Sequence, residues 1–407
     1  MVIGFDGSRA FVNDKTGTEN YSFQLLKNLA KIDTENYYIV YIRPSLSMYT
    51  PGVLKEKWAD NFQFKVINWP RLWTQAGLAL QTFKDKLDIL FVPSHTLPII
   101  SKPGIKKVVT VHDLGAEYLP QLHQVKQRLY LNFMTHKQLK SATKIIAVSK
   151  ATKDDLLKKV GINPKKVEVI YEGVDQEFFK PVKNDVLVNS LKKFDLEKQN
   201  YFLFVGTIQP RKNLKRLIKA YSVLRLKIIH PSFGGKDLRL KNTNSRISDR
   251  QSLIINHQSI PELVLVGQKG WMSDDIYQLP KKLGIEDRVK FLGRVDNKDL
   301  PALYSGAIGL TFPSLFEGFG LPIIEAFSTN CPVLTSNRSS MKEIAQNNAI
   351  LVDPEDINDI VKGMEQLMDE KTREDLITKG FKKAKEFSWE TCAKKTLEVF
   401  KEVAMAE

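Results

Sequence analysis

Short runs of consecutive apolar residues alternate along this chain with stretches whose apolar positions recur at helical spacing, and the alternation is completed twice. Val2–Phe5, Tyr38–Ile42, Ile89–Val92, Lys107–Val111 and Lys144–Val148 are too short for helices and predict strands buried on both faces. Between the first two, Phe23, Leu25, Leu26 and Leu29 within Ser22–Ala30 fit one face of a helix. A second set, Tyr201–Val205, Leu263–Val266, Val289–Leu292, Gly309–Phe312 and Pro332–Thr335, repeats this grammar. Strands and helices in alternation predict an α/β fold with parallel sheets covered by helices. In such sheets ligands bind beyond the C-terminal strand ends. Two sheets facing each other would therefore place their crevices across an interdomain cleft.

The polar stretch Glu172–Asn200, with Pro181, reads as a linker in which Val186–Leu196 can hold a helix. It divides the chain into domains over 1–180 and 181–388. Residues 234–258 are basic and rich in Ser and Asn, and read as a flexible insertion in the second domain. The amphipathic stretch Trp389–Val403 follows a complete second domain, so the C-terminal helix, about 389–407, is expected to pack back on the first.

Length and composition narrow the classes. At 407 residues and 43% apolar content, the chain exceeds one ordinary core. Cys331 and Cys392 have no Cys-x-x-Cys spacing and are too few for a disulfide framework, which points to a reducing interior. The N-terminus reads as a strand rather than a signal peptide, and no apolar run reaches the roughly 18 residues of a spanning helix. The formal charge of +15 is scattered through both halves without zinc-finger spacing or an RNA-stacking signature. Solvation or an anionic membrane surface fits it better than nucleic acid.

Candidate chemistry gathers at predicted strand ends. Glu317-Gly-Phe-Gly-Leu-Pro-Ile-Ile-Glu325 sets two carboxylates around a glycine-loosened turn that enters a helix near Pro322, with Glu325 expected in its first turn. Carboxylates accept from vicinal hydroxyls, and the amides at the helix start favour a phosphate. Arg211 and Lys212 lie in another strand-to-helix turn, where a guanidinium fork and an ammonium can meet a diphosphate. Cations oppose a helix dipole at that end, so a merely solvated pair is disfavoured. Gly17 could let the first helix approach a phosphate, or be only a turn. His112-Asp113 ends a strand; Asp113 can orient the imidazole or cap a helix, and His112 can meet a sugar through its ring or its carbonyl. Ser94-His95, after the Ile89–Val92 strand, has a similar place. Trp69-Pro-Arg-Leu-Trp73 suits a lipid interface, or the domain's own core. Asp154-Asp155 and Asp274-Asp275 read as helix-start acids. No His and carboxylate set has metal-ligand spacing, and the Gly-x-Ser-x-Gly elbow is absent.

Taken together, Arg211-Lys212 followed by Glu317-x7-Glu325 resembles the retaining nucleotide-sugar glycosyltransferases of family four, which have the GT-B fold of two Rossmann-like domains. Thr16-Gly-Thr18, Ile146-Ala-Val-Ser149, Glu172-Gly-Val-Asp175, Val205-Gly206, Leu265-Val-Gly267 and Phe291-Leu-Gly-Arg294 match the same pattern, so the likeness covers nearly the full length. It implies an acceptor domain over 1–180 and a donor domain over 181–388. It further implies Glu325 on the ribose, Glu317 on the donor sugar, Arg211 and Lys212 on the diphosphate, and His112 lining the sugar. Gly17, Gly206, Thr207, Phe319, Gly320 and Leu321 would also contact the donor, with Ser94, His95 and Asp113 on the acceptor side. Thr207 stands where many relatives have Arg, which shifts weight to Arg211, and Asn213 where many have Gly. The resemblance leans to a hexose, mannose from GDP-mannose, moved to a glycan or lipid-linked acceptor of cell-surface polysaccharide. It implies no metal and no cofactor beyond the donor substrate, in a cytoplasmic protein with peripheral contact to anionic membrane. An epimerase on the same fold, or a noncatalytic nucleotide-sugar-binding module, is the alternative.

Overall fold

The computed structural model describes residues 1–12, 15, 17–44, 58–69, 71–94, 96–114, 136–230 and 260–405. The expected insertion at 234–258 and His95 lie outside them. Among the described residues, the first sheet holds β1 (Val2–Asp6), β2 (Tyr37–Ile42), β3 (Phe62–Val66), β4 (Ile89–Val92), β5 (Lys106–Val111), β6 (Lys144–Ala147) and β7 (Val167–Val169). They run parallel in the order β3-β2-β1-β4-β5-β6-β7. The second sheet holds β8 (Tyr201–Val205), β9 (Glu262–Val266), β10 (Val289–Gly293), β11 (Gly309–Phe312), β12 (Val333–Ser336) and β13 (Ile350–Val352), parallel in the order β10-β9-β8-β11-β12-β13. Both orders reverse direction once, between β1 and β4 and between β8 and β11. A crevice opens at such a reversal because the helices on either side leave to opposite faces.

Continuous apolar runs fill the middle of each sheet; β4, β6, β11 and β12 are buried at every position. One face of the first sheet lies under α1 (Gly17–Ile32), where Tyr21, Leu25 and Leu29 are buried. Its other face lies under a helical turn, Trp73–Leu78, that continues as α2 (Ala79–Lys84), and under α3 (Lys150–Asp155). Ser149 caps α3 by accepting from the Thr152 amide, so Asp154-Asp155 close this helix instead of opening it. In the linker, α4 (Asn184–Lys192) buries Leu187 and Leu191. The second sheet is flanked by α5 (Leu214–Ile229), α6 (Asp274–Leu283), which Asp274-Asp275 do open, α7 (Leu300–Gly306), α8 (Leu321–Ser328), α9 (Ser339–Ala345), α10 (Ile357–Met368) and α11 (Glu370–Ala384).

The final helix, α12 (Trp389–Met405), lies against α1 and the first sheet. Phe400 meets the Phe91 ring edge-on at 5.1 Å, and Lys144 Nζ reaches Glu402 at 2.6 Å. The chain thus crosses between sheets twice, and the crossings run side by side. The Val174 amide donates to Phe387 O at 3.3 Å, and a Cβ on Gly173 would stand 2.2 Å from Trp389 N. Only glycine permits backbones to pass that closely.

Candidate active site

The second sheet's reversal point carries the charged centre. Beyond β8, Gly206 has φ +147°, and beyond β9 a Cβ on Gly267 would fall 2.0 Å from Gly206 O. A single turn, Pro210–Lys212, then leads into α5 through Asn213, whose φ is +61°. The Asn213 amide nitrogen fixes that turn by donating to Pro313 O at 3.0 Å and to Pro354 O at 2.6 Å. The side chain at 213 therefore replaces, by hydrogen bonding, the freedom a glycine would have there.

Arg211 and Lys212 emerge from this turn and converge on one carboxylate from the end of β11. Arg211 Nη1 donates to Glu317 Oε2 at 2.7 Å and to Phe316 O at 3.1 Å, while Lys212 Nζ donates to Glu317 Oε1 at 2.6 Å. Lys212 and Glu317 are buried. Burial alone would raise the Glu317 carboxyl, but the two cations outweigh it and hold it down at about 2. Burial pulls Lys212 below its ordinary value against the opposing charge of Glu317. Glu317 also anchors the loop by its main chain, whose oxygen accepts from Ser339 Oγ and Ser340 Oγ at 3.1 and 2.8 Å.

Gly320, at φ +106°, then turns the chain into α8, which begins at Leu321. Glu325, the fifth residue of this helix, accordingly stands just past the first turn expected for it. Its carboxylate accepts from Tyr304 of α7 at 2.8 Å. Burial pushes Glu325 up to about 7, with the Tyr304 hydrogen bond working against the rise. Across the gap, α1 starts at Gly17, where a Cβ would stand 3.8 Å from Leu321 Cδ1. Two helix N-termini, with their free amides, thus open on the same space.

His112 follows β5 on the first sheet. Its Nε2 donates to Pro93 O at 3.0 Å and its Nδ1 pairs with Glu172 Oε1 at 2.9 Å, while Tyr21 meets the ring edge-on at 4.7 Å. A carbonyl oxygen only accepts, so Nε2 carries hydrogen and the pair with Glu172 holds a second proton. Burial disfavours the imidazolium, but Glu172, the Pro93 carbonyl and Asp113 outweigh burial and raise His112 above its ordinary value. Orientation of the imidazole comes from Glu172 and Pro93, which corrects the expectation that Asp113 supplies it. With both ring nitrogens engaged, His112 turns its main-chain oxygen toward the loop, where a Cβ on Gly318 would come within 1.8 Å. Gly318 O in turn accepts from Ser149 Oγ at 2.6 Å, and α9 reaches across through Glu343, which accepts from the Lys150 and Ala151 amides at 2.9 and 3.1 Å.

These elements enclose a cleft of ≈ 650 Å³. Its walls include Gly17, His112 and Asp113 from the first sheet's edge, and Gly206, Thr207, Arg211, Lys212, Glu317, Phe319, Gly320, Leu321 and Glu325 from the second's. Ser94, two residues past β4, is buried and does not line it. Sequence reasoning missed Tyr304 and the pairing role of Glu172. Only the carboxylate within Glu172-Gly-Val-Asp175 hinted at the latter. Gln268 and Arg294, at the ends of β9 and β10, also line the cleft.

Two parallel α/β sheets facing one cleft, with a cationic centre and two carboxylates in its walls, have the architecture of the GT-B class. The description Glycosyltransferase Family 4 matches residues 15–178 and Glycosyl transferases group 1 matches residues 189–383, and the chain belongs to this family of glycosyltransferases. It is 29% identical over 324 residues to O-antigen chain mannosyltransferase B of Escherichia coli, covering 79% of this chain and 76% of that protein. It is 30% identical to O-antigen chain mannosyltransferase RfbU of Salmonella typhimurium, covering 68% of this chain and 64% of that one. Among solved structures, a sucrose-phosphate synthase from Thermosynechococcus elongatus superposes with a TM-score of 0.74 at 18% identity, covering 100% of both chains. HepE of Anabaena, in complex with UDP and glucose, gives 0.72 at 16%, covering 99% of this chain and 100% of that one. These likenesses establish the GT-B fold.

Proposed function

We propose that the protein is a retaining hexosyltransferase that moves mannose from GDP-mannose to a glycan or lipid-linked acceptor in cell-surface polysaccharide synthesis. One observation carries this reading: Arg211 and Lys212 meet on Glu317 at the reversal point of the second sheet, facing the start of α8. Substitution at an anomeric carbon passes through an oxocarbenium-like state while the nucleotide diphosphate departs as an anion. Transition-state binding therefore gains most from fixed positive charge at the departing phosphates. Arg211, Lys212 and the amides at the starts of α1 and α8 supply that charge, with no metal in the scheme. A donor diphosphate takes the place of Glu317 on the cations, which frees that carboxylate for hydroxyls of the transferred sugar, and Glu325 holds the ribose diol. The acceptor enters beside Asp113 and attacks from the leaving-group face, its proton passing to the departing phosphate oxygen. The mannose donor is supported by the names of the two O-antigen relatives. A lipid-linked acceptor puts the protein at the cytoplasmic face of the plasma membrane in peripheral contact. The chain's +15 charge supports that place, and no helix among the described residues is long and apolar enough to cross a bilayer.

The test is a panel of nucleotide sugars incubated with and without oligosaccharide acceptors, reading free nucleotide and product anomer. Acceptor-dependent GDP release with the α configuration kept supports the reading. A changed sugar without acceptor means epimerisation, and binding without turnover means a noncatalytic module. Arg211→Ala or Lys212→Ala should slow transfer by about a hundredfold or more; a loss of only a few-fold removes the clamp from the mechanism.

A further inference from the structure

The layer over the second face of the first sheet carries an outer surface that the proposed chemistry does not use. Val66, Trp69, Leu72, Leu80, Phe83, Ile99 and Ile100 are all exposed large apolar residues, and Leu72 and Ile100 are 73% and 68% exposed. They come from three segments laced together. Gln75 Nε2 donates to Leu97 O at 3.0 Å, the Ile99 amide donates to Gln75 Oε1 at 2.9 Å, and the Lys102 amide donates to Thr82 Oγ1 at 3.0 Å. Trp69 packs on the same helix, its Cβ 2.9 Å from where a Gly77 Cβ would stand. Leu72 has φ +52°, a left-handed backbone that leucine rarely adopts, and immediately after it Trp73 turns into the core at 2% exposure. One aromatic of this cluster thus anchors the layer while Leu72 and Trp69 face out.

Exposed cations sit among these apolar side chains: Arg71 beside Leu72, Lys84 beside Phe83, and Lys102 just after Ile100. The acids of the same stretch are engaged elsewhere. Asp85 is held by Lys65 at 2.7 Å and by Tyr41 Oη at 2.7 Å, and Asp88 accepts from the Val2 amide. Apolar side chains interleaved with cations that no acid pairs with among the described residues match a bilayer with anionic headgroups, which takes the former into its acyl boundary and the latter onto its phosphates. Leu72 follows β3 and Ile99 follows β4, so the surface begins at the C-terminal strand edge on which the cleft also opens.

We infer that the face formed by residues 66–72, Trp73–Lys84 and 97–102 is a docking surface for an anionic phospholipid bilayer, presenting the cleft rim to acceptors held in that membrane. The inference rests on the lipid-linked acceptor proposed above and gives that contact its place. The test needs neither donor nor acceptor, so its failure is separable from failure of the transfer assay. The full chain is sedimented with vesicles of phosphatidylcholine alone or mixed with phosphatidylglycerol, at low salt and at about 0.5 M salt, where charge attraction is screened. Retention is expected on the mixed vesicles at low salt. It should fall about fivefold for each cation removed among Arg71→Gln, Lys84→Gln and Lys102→Gln, and at least as steeply for Leu72→Ser with Phe83→Ser and Ile100→Ser. The charge variants leave the core untouched and keep the test valid if the apolar triple variant fails to fold. Equal retention on both vesicle types, retention indifferent to all six substitutions, or a dimer that the apolar variant splits without changing vesicle retention overturns the inference; the last would assign the face to a second copy.

Discussion

Replacing Glu317 by Gln keeps the shape of the centre and deletes the one charge that Arg211 and Lys212 share. Its magnitude follows from the carboxyl's depression to about 2 from an ordinary 4.5. A folded-state value below the unfolded one contributes stability that is fully present above pH 4.5 and is lost as pH falls through 2. For this gap that is about 3 kcal/mol at neutral pH, in line with the roughly 3–5 kcal/mol seen when one partner of a buried pair is removed. The loss is capped, because Lys212, which burial already pulls down, can shed its proton once Glu317 no longer opposes burial. Glu317→Gln should therefore melt about 6–12 °C below wild type at pH 7. The gap should shrink to about 1 kcal/mol near pH 3, where wild-type Glu317 has given up most of its own contribution. The variant should also bind free GDP at least as tightly as wild type while transferring more slowly, since the diphosphate no longer has to displace a carboxylate. Calorimetric melts from pH 3 to 8, paired with GDP titrations, read all of this. A gap under about 1 kcal/mol at pH 7, or one that does not change with pH, would refute the shared-carboxylate argument.

Two further outcomes follow from buried acids. Glu325 sits at about 7, protonated below and charged above that value, and in the proposed scheme it is the charged form that accepts from both ribose hydroxyls. Nucleotide affinity measured by titration calorimetry should rise between pH 6 and 8 in wild type and stay flat in Glu325→Gln. Glu172→Gln removes the charge that keeps the His112 imidazole protonated, so its ring resonance in NMR should titrate at lower pH than in wild type, with transfer reduced about tenfold. The stability that the charged pair carries is present below the imidazole's ordinary value and lost as pH rises past its raised one. The melting gap between wild type and Glu172→Gln should therefore close in alkali.

What could be read from the chain and what could not divides along a physical line. Central strands such as β4, β8 and β11 are buried on both faces and write themselves as unbroken apolar runs. Of the edge strands, β10 was readable but β3, β7 and β13 were not: β3 alternates Phe, Gln, Phe, Lys with one side half-buried, and the other two are three residues long. Arg211, Lys212 and Glu317 were legible because each sits a few residues beyond such a run, where parallel topology sends every strand end to one crevice, and Glu325 because the glycine-loosened turn after Glu317 leads into its helix. Glu172 was not, since its partner His112 lies 60 residues away on another strand and only the sheet order joins them. Glu325 was misplaced by one residue, out of the first turn, because Gly320 caps the helix and its first residue is Leu321, just before the Pro322 signal. The paired tryptophans teach the same point. Spacing alone cannot say which of Trp69 and Trp73 faces water, and the answer comes from a left-handed leucine between them that no local propensity favours. Residues whose role is set by the strand they belong to can be found one at a time, whereas a role set by two segments meeting requires knowing how they meet.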